Sequence, residues 1–125
     1  MHKSQLAGFI IDCKGNDLDA AARFWGEALG YDARPLTGPD EDEYRALDTG
    51  PNGIHIEMQR VDHPSRVHLD IETDDVEAEV QRLEALGAKR LKQVKTWWVM
   101  EAPTGHRFCV VRVQRDSFGD TARQW

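Results

Sequence analysis

The stretch RVHLDIETDDVEAEVQRLEALGA, residues 66–88, decides the fold because it joins a strand pattern to a helix pattern. Over 66–73, polar and apolar side chains alternate, which is typical of a β-strand. Over 75–86, apolar residues recur at helical spacing, and Gly87 follows the last turn, where a left-handed residue ends many helices. The stretch therefore predicts a strand followed directly by a helix.

A second copy of this pattern precedes it in the chain. The same spacing separates Asp12 from Asp70 and Asp17 from Asp75. The helix end Glu-Ala-Leu-Gly also occurs twice, over 27–30 and 84–87. The separation of these two copies is one residue shorter than the separation within each aspartate pair. An internal repeat of this kind indicates one structural unit used twice.

Each predicted helix is preceded by one strand and followed by three. The strands before the helices are predicted over 6–13 and 66–73, and the helices over 17–29 and 75–86. The remaining strands are predicted over 31–36, 44–48, 53–59, 89–94, 96–101 and 107–113. The fold class is therefore α+β, with two tandem βαβββ modules, at about 6–60 and 66–113, in one domain of residues 1–125.

Local signals mark the ends of these elements. Asn16 is the predicted N-cap of the first helix, and Asp74 with Glu77 resembles a capping box for the second. The acidic stretch 37–43 is interpreted as a rim loop. The tail 114–125 has no clear pattern, and the sequence leaves open whether it frays or packs on a partner.

Composition limits the classes of partner. Charged residues make up 30% of the chain and the net charge is −6, which argues against a nucleic acid or an anionic membrane. No run is long enough to span a membrane, and the N-terminus lacks the apolar core of a secretion signal. We therefore expect a cytoplasmic protein whose two cysteines, Cys13 and Cys109, are buried and reduced.

Three motifs in order carry a resemblance to a known family. They are ARFW with ALGY at 22–31, VHLDI with DVEA and LEALGA at 67–88, and WVM with P, G and FC at 98–109. Together they resemble the vicinal oxygen chelate superfamily of glyoxalase-like proteins, whose members include dioxygenases, lyases and bleomycin resistance proteins. The resemblance implies a curved, cup-shaped mixed sheet with helices on its outer face, and a homodimer.

Strand alternation predicts which side chains line the cup. In the strands at 53–59, 66–73 and 107–113, apolar residues favour the helix side and polar residues the other side. One of two adjacent tryptophans should join them as an aromatic wall. The predicted substrate-binding residues are Asp12, His55, Asp70, Trp97, Trp98, Arg107 and Cys109, and the predicted catalytic residues are His68 and Glu57.

The resemblance also implies four positions for metal ligands, which fall on Ile10, Glu57, His68 and Cys109. Only Glu57 and His68 are competent there, since Ile10 has no donor atom and Cys109 replaces a carboxylate. Two ligands fall short of the three that catalytic sites usually have. His55 or Asp70 could complete a shifted set. The sequence therefore favours no cofactor, with a divalent metal as the alternative.

Three functions remain open for a small-molecule ligand in the cup. The first is a metal-independent lyase or isomerase that acts by proton transfer, with His68 as acid or base oriented by Glu57 or Asp70. The second is a non-catalytic protein that binds or sequesters a drug or metabolite. The third is a divalent-metal-dependent lyase or dioxygenase. The sequence decides neither the substrate nor whether the protein is an enzyme.

Overall fold

The structure is a computed structural model that describes residues 1–34 and 43–125. The predicted rim loop at 37–43 lies outside these residues except for its last position, as does the end of the strand predicted over 31–36. The chain divides into two compact units. The first unit is Phe9–Val67, and the second unit is Met1–Gly8 together with His68–Trp125.

The order of elements confirms the α+β class. The strands are β1 (Lys3–Lys14), β2 (Ala33–Arg34), β3 (Tyr44–Leu47), β4 (His55–Val61), β5 (Arg66–Thr73), β6 (Lys89–Val94), β7 (Trp97–Glu101), β8 (Arg107–Arg112) and β9 (Arg123–Gln124). The helices are α1 (Leu18–Leu29), α2 (Val76–Ala85) and α3 (Phe118–Thr121). The βαβββ pattern therefore occurs twice, with α3 and β9 added at the end.

In the first unit, α1 packs on β3 and β4, which pair antiparallel. The core between them centres on Met58, which is fully buried, and on Leu18 and Leu47. Ile11, Cys13 and Ile56 pack against this cluster, so alternation turns Ile10, Asp12, His55 and Glu57 toward the face opposite α1. This agrees with the predicted orientation of Ile56 and Met58.

In the second unit, α2 packs on β6, β7 and β8. The strand β8 pairs with β7 antiparallel and with β5 parallel. The core joins residues of α2, β7 and β8: Val80, Leu83, Met100, Phe108 and Val110. Phe108 and Val110 therefore face α2 as predicted, and Cys109 between them points to the opposite face.

Both helix caps lie one residue after the predicted positions. The Asp17 carboxylate accepts a hydrogen bond from the Ala20 amide, and the Asp75 carboxylate accepts one from the Ala78 amide. Asn16 and Asp74 are therefore not the caps. Asp17 and Asp75 are repeat equivalents, so the two modules start their helices in the same way.

The tail at 114–125 packs on its own chain. The strands β1 and β9 pair antiparallel, Lys3 with Gln124 and Ser4 with Arg123. Trp125 stacks on the Arg82 guanidinium, 3.7 Å from the ring centroid, and its indole donates a hydrogen bond to Ser4 Oγ. The second unit thus includes a terminal strap that the sequence pattern did not reveal.

In β5 the side chains alternate between the two faces as predicted, but the apolar face is not the more buried one. Asp70 and Glu72 are buried, whereas Leu69 on the helix side is 44% exposed. The reason is that α2 lies mainly over β6–β8 and leaves that side of β5 largely uncovered. The polar side chains of β5 are therefore the shielded ones.

Candidate functional site

Three side chains that can bind metal ions meet on the face of the second unit opposite α2. One ligand atom each from His68, Asp70 and Cys109 lies within 4.8 Å of the other two. His68 Nε2 is 3.6 Å from Asp70 Oδ1, too far for a good hydrogen bond. Asp70 and Cys109 are buried, and the His68 side chain is only 13% exposed. We call these three residues the donor cluster.

The backbone fixes the donor cluster in place. Asp70 and Cys109 are direct partners in the parallel pairing of β5 and β8. His68 is two residues before Asp70 on β5 and therefore points to the same face. Because sites built on strands are more precise than sites on loops, this arrangement is well suited to hold a small ligand or ion.

The strand β7 supplies the apolar neighbours of the cluster. Val99 is the register partner of Cys109, so the two side chains share a face. Alternation places Trp97 on that same face, while Trp98 packs against the core cluster under α2 and the Arg90 guanidinium lies 5.0 Å from its ring centroid. Of the two predicted aromatic residues, Trp97 is therefore on the side of the donor cluster and Trp98 is on the opposite side.

Two charged residues on the same face have structural contacts. Glu72 is fully buried and accepts hydrogen bonds from the backbone amides of Gln114 and Arg115 and from Arg115 Nε. Arg107, a predicted substrate-binding residue, is exposed, and its Nε lies 3.7 Å from Glu101 Oε2. Glu72 therefore anchors the start of the tail beside the cluster.

The first unit carries its own polar side chains on the face opposite α1. His55 Nε2 lies 2.8 Å from Glu57 Oε1, and both side chains are less than one-fifth exposed. Gln59 donates a hydrogen bond to the Tyr44 hydroxyl. Asp12 is buried and lies 3.8 Å from Arg66 Nε. The structure thus pairs His55 with Glu57, and Asp12 with Arg66.

The predicted pairing of Glu57 with His68 stays a prediction. Glu57 belongs to the first unit and His68 to the second. What sequence reasoning underrated is Asp70. It was one of two candidates for a shifted ligand set, and only the register of β5 with β8 places it next to both His68 and Cys109.

The donor cluster fits a divalent metal ion. A Zn²⁺ ligand lies about 2.0 to 2.3 Å from the ion, so two ligands are at most about 4.6 Å apart. The separations within 4.8 Å come under that limit after side-chain shifts of a few tenths of an ångström. Three donors that leave a coordination position open are what a catalytic site needs. His68, Asp70 and Cys109 are therefore the residues that would hold the ion.

The family model for the glyoxalase-like domain matches residues 8–111. This match covers most of the chain, so the protein belongs to the glyoxalase-like domain family, within the vicinal oxygen chelate superfamily. The resemblance seen in the three sequence motifs is confirmed. No curated protein matches the chain significantly.

Several solved structures share the fold at low identity. Methylmalonyl-CoA epimerase in complex with methylmalonyl-CoA and NH4+ is 16% identical, with a TM-score of 0.59 over 89% of this chain and 96% of that one. The epimerase from Mycobacterium tuberculosis is 13% identical, with a TM-score of 0.61 and coverages of 87% and 90%.

The Mn(II)-bound glyoxalase from Novosphingobium aromaticivorans is 18% identical, with a TM-score of 0.61 over 93% of this chain and 43% of that one. At these identities the likeness establishes the fold alone. Within residues 1–34 and 43–125, no helix is both long and apolar enough to cross a lipid bilayer.

Proposed function

We propose that this protein is a metal-dependent isomerase or lyase that moves a proton in a small carbonyl compound, with the donor cluster as its metal centre. The observation that carries the proposal is the convergence of His68, Asp70 and Cys109 within 4.8 Å on two paired strands. The sequence alone favoured a metal-free site because it offered only two competent ligands. Of those two, only His68 belongs to the donor cluster, in which Asp70 and Cys109 supply the other two donors.

The chemistry follows from the donors and their surroundings. A bound divalent ion acts as a Lewis acid on a carbonyl oxygen and makes the neighbouring C–H bond more acidic. His68, Asp70 and Cys109 would hold the ion, and Val99 and Trp97 would limit access of water on the β7 side.

The structural relatives support this reaction class. An epimerase inverts a carbon centre, which requires breaking and remaking one bond at that carbon, and two of the similar structures are methylmalonyl-CoA epimerases. Another similar structure is a glyoxalase with bound Mn(II). Acyl thioesters and α-oxygenated carbonyl compounds are therefore the first substrates to test.

The proposal is tested first by metal binding. Protein purified without chelator should retain about one divalent ion per chain, and chelation should lower its melting temperature. Asp70→Asn should weaken binding by more than tenfold, since loss of even a group that supports a ligand costs about 10- to 100-fold. Asp62→Asn, which changes an exposed carboxylate, is the matched control.

Proton transfer is tested by exchange in heavy water. The metal-loaded protein should incorporate deuterium next to the carbonyl of at least one compound in the panel, followed by NMR. Protein that binds no metal in either calorimetry or elemental analysis would refute the metal centre.

A second candidate is proton transfer without metal, with His68 as the acid or base and Asp70 as its positioning residue. The 3.6 Å approach of His68 to Asp70 favours it. In that case chelator-treated protein would keep its full exchange activity, and His68→Asn would lose it.

A further inference from the structure

We propose that Cys109 makes the donor cluster selective for a thiophilic ion of the Zn²⁺ or Co²⁺ class over the oxygen-preferring Mn²⁺ and Mg²⁺. This inference rests on the proposed metal centre and adds which ion it takes. It follows from the chemistry of the three donors, their burial and the internal repeat.

The donor set contains one nitrogen, one oxygen and one sulfur atom. Mg²⁺ and Mn²⁺ favour carboxylate, carbonyl and water oxygens in octahedral geometry, and this cluster offers them a single carboxylate. Zn²⁺ and Co²⁺ accept imidazole and thiolate ligands, and Zn²⁺ is satisfied by four ligands of which the protein supplies three. The set therefore matches a borderline or thiophilic ion.

The position of Cys109 supports a role as ligand. The residue is 8% exposed and lies between its register partners, Asp70 on β5 and Val99 on β7. The neighbouring residues Phe108 and Val110 face the core under α2, so the thiol is directed away from that core.

The internal repeat gives the first-module equivalent of Cys109. Gly53 and Glu57 are separated by the same spacing as Gly105 and Cys109, so the first module has a carboxylate where the second has a thiol. The equivalent of His68 in the first module is Ile10. The second module therefore differs from the first by an imidazole in place of an isoleucine and by sulfur in place of a carboxylate oxygen, and both differences favour the same class of ion.

The other free cysteine provides a matched control. Cys13 packs against the core cluster under α1, and its thiol donates a hydrogen bond to the Ile11 carbonyl. Burial and the adjacent Asp12 raise the pKa of the Cys13 thiol, which keeps it protonated. Cys13→Ser therefore removes a thiol of the same chain without touching the donor cluster.

The first experiment is titration of the metal-free protein with Co²⁺, followed by absorption and calorimetry. Wild type and Cys13→Ser should each develop one sulfur-to-cobalt charge-transfer band in the near ultraviolet. Cys109→Ser should lose the band. Co²⁺ binding by calorimetry without the band in wild type, or a band that survives Cys109→Ser, overturns the inference and leaves the proposed metal centre intact.

The second experiment measures selectivity directly. Zn²⁺ binds most sites more tightly than Mn²⁺, so the informative quantity is how the ratio of the two affinities changes with the ligand. Cys109→Asp should lower the Zn²⁺/Mn²⁺ affinity ratio by at least about tenfold relative to wild type and Cys13→Ser. An unchanged ratio contradicts the inference, and failure of every ion to bind wild type defeats both proposals. Far-ultraviolet circular dichroism establishes that each variant is folded.

Discussion

The two modules share one plan but differ in the chemistry of the face opposite the helix. In the second unit, that face brings together an imidazole, a carboxylate and a thiol. In the first unit the position equivalent to His68 is Ile10, and Asp12 lies near Arg66 instead of a histidine. The comparison teaches that the two modules share the order of their strands and helix and the aspartate that caps the helix start, while three side chains able to bind a metal ion meet in the second unit.

The two modules also differ in the helices themselves. Asp17 and Asp75 cap equivalent helices, so Ala21 of α1 corresponds to Glu79 of α2. Ala21 needs no partner, whereas Glu79 is fully buried and paired with Arg82 and His2. The second unit therefore depends on a buried ionic network and a terminal strap, for which α1 has no counterpart at the equivalent position.

The largest expected effect tests whether the two helix-side cores are equally important. Met58 in the first unit and Met100 in the second are both fully buried. Met58→Ala and Met100→Ala should each lower the free energy of unfolding by about 2–5 kcal/mol, because each leaves a cavity. Urea denaturation measures both, with the exposed Leu86→Ala as control. A loss no larger than that of the control would contradict the shared plan.

The second-largest expected loss of stability comes from Glu79, at the position where the first module has Ala21. Glu79→Gln should cost about 2–3 kcal/mol, below the roughly 3–5 kcal/mol for a fully buried pair because the Arg82 side chain is 25% exposed. Ala21→Gly is the comparison in α1, where only helix propensity is lost, about 1 kcal/mol. Equal losses for the two variants would show that the ionic network adds nothing.

The same pair predicts a dependence on pH. Burial opposes ionisation of Glu79, but hydrogen bonds from Arg82 and His2 outweigh it and lower the pKa of this carboxyl. A lowered pKa stabilises the fold above the unfolded pKa, about 4.3, and that contribution disappears as pH falls through the folded value. The melting temperatures of wild type and Glu79→Gln should therefore converge on acidification. A gap that stays constant would contradict the assignment.

A smaller effect is expected from the terminal strap. Trp125→Ala should cost about 1–2 kcal/mol, because it removes a cation–π contact with Arg82 and a hydrogen bond to Ser4. Trp125→Phe keeps the stacked ring and loses only the hydrogen bond, so its loss in thermal melts should be intermediate. If Trp125→Ala melts as wild type does, the strap does not stabilise the second unit.

The smallest expected effect concerns the N-terminal helix caps, which the two modules share. Asp17→Ala and Asp75→Ala each remove one helix cap and should each cost about 1 kcal/mol. Asn16→Ala should change the free energy of unfolding by less than about 0.5 kcal/mol, since Asn16 is exposed and does not cap α1. Chemical denaturation of the three variants distinguishes the two cap assignments.

Much of the fold could be predicted because its signals are local. The strands predicted over 66–73 and 89–94 match β5 and β6 in full. The helix α1 starts one residue later than predicted, and α2 is one residue shorter at each end. Gly30 has the left-handed conformation, with φ of 80°, that its place after α1 requires. Alternation also placed Cys109 and Val110 on opposite faces. The tail was missed because β9 is two residues long and is held by contacts with β1, which leave no periodic pattern.

The sequence by itself determined the doubled module, the family and the set of polar residues from which a site would be built. These features are encoded in periodicity, helix-end residues and repeated motifs, each of which is contained in a short stretch of sequence. Only the tertiary structure decided which donors meet. Asp70 and Cys109 become neighbours through the parallel register of β5 with β8, and hydrogen bonding between strands far apart in the chain sets that register. The tertiary structure also decided the partners of buried Glu79. One partner, His2, lies near the start of the sequence, and Arg82, the other partner, stacks on Trp125 at the opposite end.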